Sequence, residues 1–258
     1  MKPIIEAKSL VKRFGAVTAA NDVNVDIMSG TISGLIGTNG AGKTTFINMI
    51  TGYLSPDSGS ILLDGREIVG LSPRQITRRG VARSFQIPQL FNSLTAIENL
   101  MFAYSATEGV GAKSFSILAD DELVSRADEM LKVFGLQAFR DAIAGKMPEG
   151  IRKLLDIAIA MVGKPKVLFL DEPTSGVASE EKFSVMDRII GATRVAGVSV
   201  LFVEHDMEIV RRYSERVLAF FEGRVLIDGV PETVLDDRQV RELIIGDEQG
   251  APVEDNHA

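Results

Sequence analysis

Apolar and polar residues follow three different rhythms along this chain. Ile4 to Val11 alternates loosely and Asp22 to Ile27 alternates polar with apolar, the pattern of half-buried antiparallel strands. Four stretches are short, nearly unbroken apolar runs: Thr31 to Ile36, Gly80 to Phe85, Lys166 to Leu170 and Val198 to Val203. Such runs predict strands buried inside a parallel sheet. Ser60 to Leu63 is a further strand between the turns Pro56–Gly59 and Asp64-Gly65. The third rhythm is helical. Phe46, Ile47, Met49 and Ile50 share one helix face before Gly52, and Ser72-Pro73 opens a short helix to Arg79. From Ile87 to about Met161 no strand pattern intervenes, and Thr95–Ala103, Asp120–Phe134 and Ile151–Val162 read as helices. Ser105 to Ser116, glycine-rich and small, predicts a surface loop. Glu180 to Ala196 is helical, Arg216–Phe221 and Arg224–Asp228 form a hairpin around Glu222-Gly223, and Pro231–Leu235 and Arg238–Ile245 are short terminal helices. The polar stretch from Gln249 is expected to fray.

These rhythms predict an α/β fold: an N-terminal antiparallel β-subdomain, a parallel core, and a helical subdomain inserted into that core. A chain of 258 residues is long enough for such a domain with a subdomain. No apolar run reaches the ~18 residues of a membrane span, and Met1-Lys2-Pro3-Ile4 does not open a signal peptide, so a cytoplasmic protein is expected. The absence of cysteine excludes disulfides and thiolate metal sites. A net charge of −7 and a pI near 5.0 argue against a nucleic-acid partner. The mean hydropathy of +0.15 points weakly to a docking surface.

The strongest chemical signal is Gly37-Thr38-Asn39-Gly40-Ala41-Gly42-Lys43-Thr44-Thr45, which fits the phosphate-binding loop, Gly-x4-Gly-Lys-Ser/Thr. It stands between an apolar strand and a helix, as that loop requires. The glycines let successive N–H groups turn inward onto phosphate oxygens, and the helix N-terminus adds to the field. Lys43 would reach the β- and γ-phosphates of a nucleotide, and the Thr44 hydroxyl would ligate Mg²⁺. Three further apolar strands end in polar groups: Gln86, the pair Asp171-Glu172 before Pro173, and Glu204-His205-Asp206. Ligands bind at the carboxyl ends of strands in open α/β sheets. Beside a phosphate loop, Asp171 is a natural partner of Mg²⁺ and Glu172 of an attacking water. The alternatives are a solvated acidic turn, an ordinary strand-end glutamine and a structural histidine. Phe14, an aromatic in a turn, reads equally as a stack for adenine or as a core residue.

In order and spacing, the phosphate loop, Gln86, the helical insertion, Leu170-Asp171-Glu172-Pro173 and His205 resemble an ATP-binding-cassette (ABC) ATPase over essentially the whole chain. The resemblance implies a P-loop NTPase core of ABC type, ATP and Mg²⁺ as cofactors, and a head-to-tail pair of cassettes with two nucleotides between them. It divides the chain into an ATP-binding core, 1–86 with 163–245, a helical signature subdomain, 87–162, and a tail, 246–258. It makes Phe14 the adenine-stacking aromatic and gives the nucleotide Gly37, Asn39, Gly40, Gly42, Lys43, Thr44 and Thr45. Thr44, Gln86 and Asp171 would hold the metal, Gln86 would also contact the attacking water and sense the membrane partner, Glu172 would be the catalytic base, and His205 the γ-phosphate switch. Gly80 to Gln86, Leu90-Phe91 to Leu94-Thr95, Glu98-Asn99-Leu100 and Val203 to Met207 are similar to the ATPase subunits of branched-chain amino-acid importers. Importers of urea, amides or other small carboxylates look similar. The implied partners are transmembrane permease subunits, a second cassette and, indirectly, a solute-binding protein, with the chain peripheral on the inner membrane face. A soluble ABC-type ATPase of DNA repair or translation is a competing reading, as is a cassette that does not hydrolyse ATP.

One motif departs from the family. Where Leu-Ser-Gly-Gly-Gln or Leu-Ser-Tyr-Gly-Gln is usual, this chain has Met147-Pro148-Glu149-Gly150-Ile151. The phosphate-binding serine is Pro148, the glutamine is Ile151, and only Gly150 is retained as a signature residue facing nucleotide. Ala178 stands where the family commonly has Asp. An intact phosphate loop beside a defective signature leads us to expect a heterodimer with a different cassette.

Overall fold

The computed structural model describes residues 2–108 and 121–246; the remainder of the expected loop up to Ser116, Asp120, and the expected frayed end from Gln249 lie outside the described residues. An antiparallel sheet is built from β1 (Pro3–Phe14), β2 (Val17–Met28), β4 (Ser58–Leu63) and β5 (Arg66–Glu67), in the order β2-β1-β4-β5. A second, six-stranded sheet contains β3 (Ile32–Gly37), β6 (Val81–Ser84), β7 (Val167–Asp171), β8 (Ser199–Val203), β9 (Arg216–Phe221) and β10 (Arg224–Gly229). Its order is β10-β9-β3-β8-β7-β6, parallel except for the β9–β10 hairpin. That hairpin turns through Glu222 and Gly223, both at positive φ, the geometry of a tight two-residue turn.

Period-two side-chain alternation sorts the parallel strands between two cores. Val167, Phe169, Leu201 and Val203 pack with Ile5, Val23 and Ile61 of the antiparallel sheet and with Phe46 and Ile47 of α1 (Lys43–Ile50). Leu168, Leu170, Val200 and Phe202 face the other way, onto α5 (Glu149–Val162), α6 (Ser179–Val195) and α7 (Met207–Tyr213). Both faces are covered, so β7 and β8 read as unbroken apolar runs rather than alternating ones.

The short α2 (Pro73–Arg78) opens as expected: Gln75 Oε1 accepts from the Ser72 N–H at 2.9 Å, half of a capping box. Between β6 and β7 the chain forms α3 (Ala96–Glu108), α4 (Asp121–Val133) and α5. The expected loop therefore begins too early, because Ser105 to Glu108 continue α3. Tertiary packing overrides the small-residue composition here. Tyr104 and Ser105 are buried, and the Arg126 guanidinium lies 4.3 Å from the Tyr104 ring centroid. At the C-terminal end, α8 (Pro231–Leu235) and α9 (Arg238–Val240) form, and α9 passes into a π-helical turn at Arg241–Ile245.

Candidate functional site

The loop after β3 turns where only glycine fits. A Cβ on Gly37 would sit 2.4 Å from the Phe220 carbonyl oxygen, and one on Gly42 2.3 Å from that of Ala19. Gly42, at φ +99, is the N-cap of α1 and sends the helix N-terminus into the pocket. Lys43 is buried, and its ammonium donates to the carbonyls of Gly37 at 2.5 Å and Thr38 at 2.9 Å. Burial pushes its pKa below the ordinary lysine range, while Glu172 and Asp171 pull the other way.

A pocket of about 320 Å³ opens over this loop and brings together most residues singled out in the sequence. Phe14, Asn39, Gly40, Gly42, Lys43, Thr44, Thr45, Asp171, Glu172 and His205 all line it. Phe14 is half exposed on its wall, so the core reading of that residue is overturned. Gly37 supports the loop from behind. Gln86 is not in the lining; it reaches the pocket by donating through Nε2 to Glu172 Oε2 at 2.7 Å. Thr44 and Asp171 present hard oxygen donors of the kind Mg²⁺ takes beside phosphate. Asp171 is ion-paired at Oδ2 with Arg83 at 2.9 Å, and Arg83 also donates to Asn48 Oδ1 at 2.6 Å. This clamp ties the end of β7 to α1 and was missed in the sequence.

Glu172 is the meeting point of the strand ends. Besides Gln86, it has His205 Nε2 at 3.2 Å from Oε1. Its φ of +49° is left-handed, a conformation that costs a non-glycine residue about 1–3 kcal/mol and gathers at functional sites. Three bonds hold its backbone there: its N–H donates to the Val203 carbonyl at 3.0 Å, and its carbonyl accepts from Lys153 Nζ at 2.7 Å and from the Ser175 N–H at 3.1 Å. Two buried carboxylates stand behind the neighbouring loops. Asp156 accepts from Ser84 Oγ at 2.6 Å and from the Gln89 N–H at 2.8 Å, beyond Gln86. Glu204 accepts from Thr174 Oγ1 at 2.6 Å and from the His205 N–H at 3.2 Å. Burial raises the Asp156 pKa, against the hydrogen bonds from Ser84 and Gln89. Burial lowers that of Lys153, against Glu149, Glu204, Glu172 and Asp156. The sequence hides Lys153 and Asp156: with Glu149 and Arg152 they form a charged stripe at i, i+3, i+4 and i+7 that reads as a solvent face, yet both are buried.

Gly150 is not part of the pocket. It is buried on α5, where a Cβ would meet Val185 Cγ2 at 3.3 Å and Val177 Cγ1 at 3.5 Å. Pro148 is the N-cap of α5 and supplies no side-chain cap. Glu149 is ion-paired with Arg152 at 3.4 Å and lies against Gly176, whose own Cβ would come 3.5 Å from Glu149 Cγ. Ala178, at the N-cap of α6, also provides no side-chain cap.

This geometry has close relatives. A family model described as ABC transporter matches residues 20–175. The chain is 35% identical over 252 residues to the high-affinity branched-chain amino acid transport ATP-binding protein BraF of Pseudomonas aeruginosa, covering 95% of this chain and 99% of the relative. It is 34% identical over 249 residues to the probable branched-chain amino acid transport ATP-binding protein LivG of Archaeoglobus fulgidus, covering 94% and 95%. Among solved structures, the ADP conformation of the ABC-transporter ATP-binding cassette MJ1267 superimposes with a TM-score of 0.83 at 29% identity, covering 96% of this chain and all of that one. With the phosphate loop, the strand-end carboxylates and the helical insertion all in place, the chain belongs to the ABC transporter family as a nucleotide-binding ATPase subunit.

Proposed function

We propose that this chain hydrolyses ATP to energise a membrane importer of a branched-chain amino acid or a chemically similar small solute. The observation that carries this reading is the convergence of Gln86 and His205 on Glu172 beside the phosphate loop. Phe14 offers its exposed ring to adenine. The N–H groups from Asn39 to Thr45 and the Lys43 ammonium receive the phosphates, while Gly37 and Gly42 allow the backbone to approach. Thr44, Asp171 and Gln86 would hold Mg²⁺, which offsets charge on the phosphate oxygens when bound. Glu172 is the general base for the attacking water. Gln86 and His205 orient its two carboxylate oxygens, and His205 stands toward the γ-phosphate.

The hydrolytic unit is a heterodimer with a different cassette, peripheral on the inner face of the cell membrane. Transmembrane permease subunits dock beside residues 87–162, and a solute-binding protein acts through them. The support is the signature of this chain. Pro148 has no hydroxyl, and Glu149 carries charge where a phosphate of the opposite site would approach. Losing such a charge-assisted contact costs roughly 1.5–3 kcal/mol, or about 10–150-fold in binding or rate. A homodimer would carry that defect in both sites, whereas pairing with an intact signature leaves one site fully competent. Gly150 then belongs to the weaker site. Purification of the native membrane complex tests this reading. It is expected to contain permease subunits and a second, different cassette, and recovery of this chain without membrane subunits would reject it.

A further inference from the structure

Behind Gln86, Glu172 and His205 lies a layer of three buried charged side chains. Lys153, Asp156 and Glu204 are 4%, 6% and 4% exposed. Between them they bond the loops that follow β6, β7 and β8. Asp156 holds the Gln89 N–H, Glu204 holds the His205 N–H and Thr174, and Lys153 holds the Glu172 carbonyl. Lys153 and Asp156 project from α5, the helix that begins at the signature residues Glu149 and Gly150. Burying an ammonium is unfavourable unless strong acceptors surround it. Here the acceptor is the carbonyl of the residue whose side chain meets Gln86 and His205, and whose backbone adopts a left-handed conformation.

We propose that Lys153 is a positioning residue that fixes the backbone of Glu172 and thereby couples the place of the signature helix to the aim of the catalytic carboxylate. The carbonyl is shared between Lys153 of α5 at 2.7 Å and the Ser175 N–H of its own loop at 3.1 Å, so a shift of α5 takes away the charged one of its two donors. Losing that donor frees Glu172 to leave its left-handed conformation, and that change in its own backbone angles swings the Cα–Cβ bond away from Gln86 and His205. Any movement of α5 is therefore felt at Glu172 within the same subunit, without passing through the nucleotide. This inference rests on Glu172 acting as the base.

The test uses the full chain in its assembled transporter. Steady-state turnover is measured together with Mg–ATP affinity by direct titration and with amide hydrogen exchange over residues 171–178. Lys153→Met is expected to lower kcat by about 30-fold while KM and nucleotide affinity stay within about twofold. Exchange should rise over 171–178 and remain unchanged in β3 and β8. Lys153→Arg, which restores a cationic donor, should recover turnover to within about threefold of wild type. Turnover and exchange at wild-type levels in Lys153→Met overturn the proposal, as does an equal loss of nucleotide affinity. If Lys153→Met does not fold, Lys153→Gln must show the same split. Failure of both neutral variants to fold assigns Lys153 to stability alone and overturns the proposal. Glu172→Gln run in parallel separates the two ideas. Turnover that survives it removes the base reading, whereas its loss beside wild-type turnover in Lys153→Met removes only the positioning role.

Discussion

Arg83 stands 2.9 Å from Oδ2 of Asp171, so the carboxylate proposed to hold Mg²⁺ already has a fixed cation on one oxygen. The Arg83 side chain is 8% exposed and that of Asp171 18%. Removing one partner of such a pair leaves the other charge uncompensated in a largely dry site. Because Asp171 keeps some contact with water, Arg83→Met is expected to cost roughly 2–3 kcal/mol, less than a fully buried pair. Thermal unfolding should show a fall of about 5–10 °C for a chain of this size. A midpoint within about 1 °C of wild type would contradict the clamp.

Ala178 leaves the first N–H groups of α6 without a side-chain acceptor. Its backbone, at φ −57° and ψ 141°, already has the extended geometry of a capping residue. Ala178→Ser supplies an acceptor without adding charge beside Glu180 and Glu181. It should stabilise the chain by about 1 kcal/mol, raising the midpoint by about 2–4 °C. An unchanged or lower midpoint would show that the N-terminus of α6 is satisfied in another way.

The apolar segment after Gln86 separates into two sets. Leu90 and Leu94 are partly buried, and Leu90 packs against the helical core. Ile87 is 72% exposed, and Phe91, 50% exposed, stacks edge-on against Phe102 at 4.6 Å. Ile87→Asp and Phe91→Asp are therefore expected to leave the unfolding midpoint within about 2 °C of wild type. Both should abolish co-purification with the membrane subunits. Normal co-purification of both variants would place the docking surface elsewhere.

Much of this site was legible because it is written locally. The glycines, Lys43 and Thr44 are contiguous, and Asp171, Glu172 and His205 each follow an apolar run that can only be a buried strand. Parallel pairing of β6, β7 and β8 then brings their ends together. Arg83, Lys153 and Glu204 were not legible, since each acts through a partner far away in sequence. Arg83 meets Asp171 across 88 positions, and Glu204 meets Thr174 across 30. Only the register of the folded sheet and the placement of α5 create those contacts. The early end assigned to α3 has a similar origin. The small residues after Tyr104 favour a loop on their own, but packing of Tyr104 against Arg126 keeps the helix going.

The central claim is that Glu172 serves the one fully competent site of an asymmetric pair. The direct measurement is steady-state ATP turnover by the assembled transporter after glutamate-to-glutamine exchange in each cassette separately. The amide keeps the shape of the carboxylate but cannot take a proton from water, so nucleotide binding should persist in both variants. Glu172→Gln in this chain should reduce turnover at least 100-fold, in the range of lost general-base catalysis. The matching change in the partner cassette should cost less than about threefold, because its site is closed by Met147 to Ile151 of this chain. Equal losses from the two exchanges, or robust cooperative turnover by this chain alone, would contradict the account.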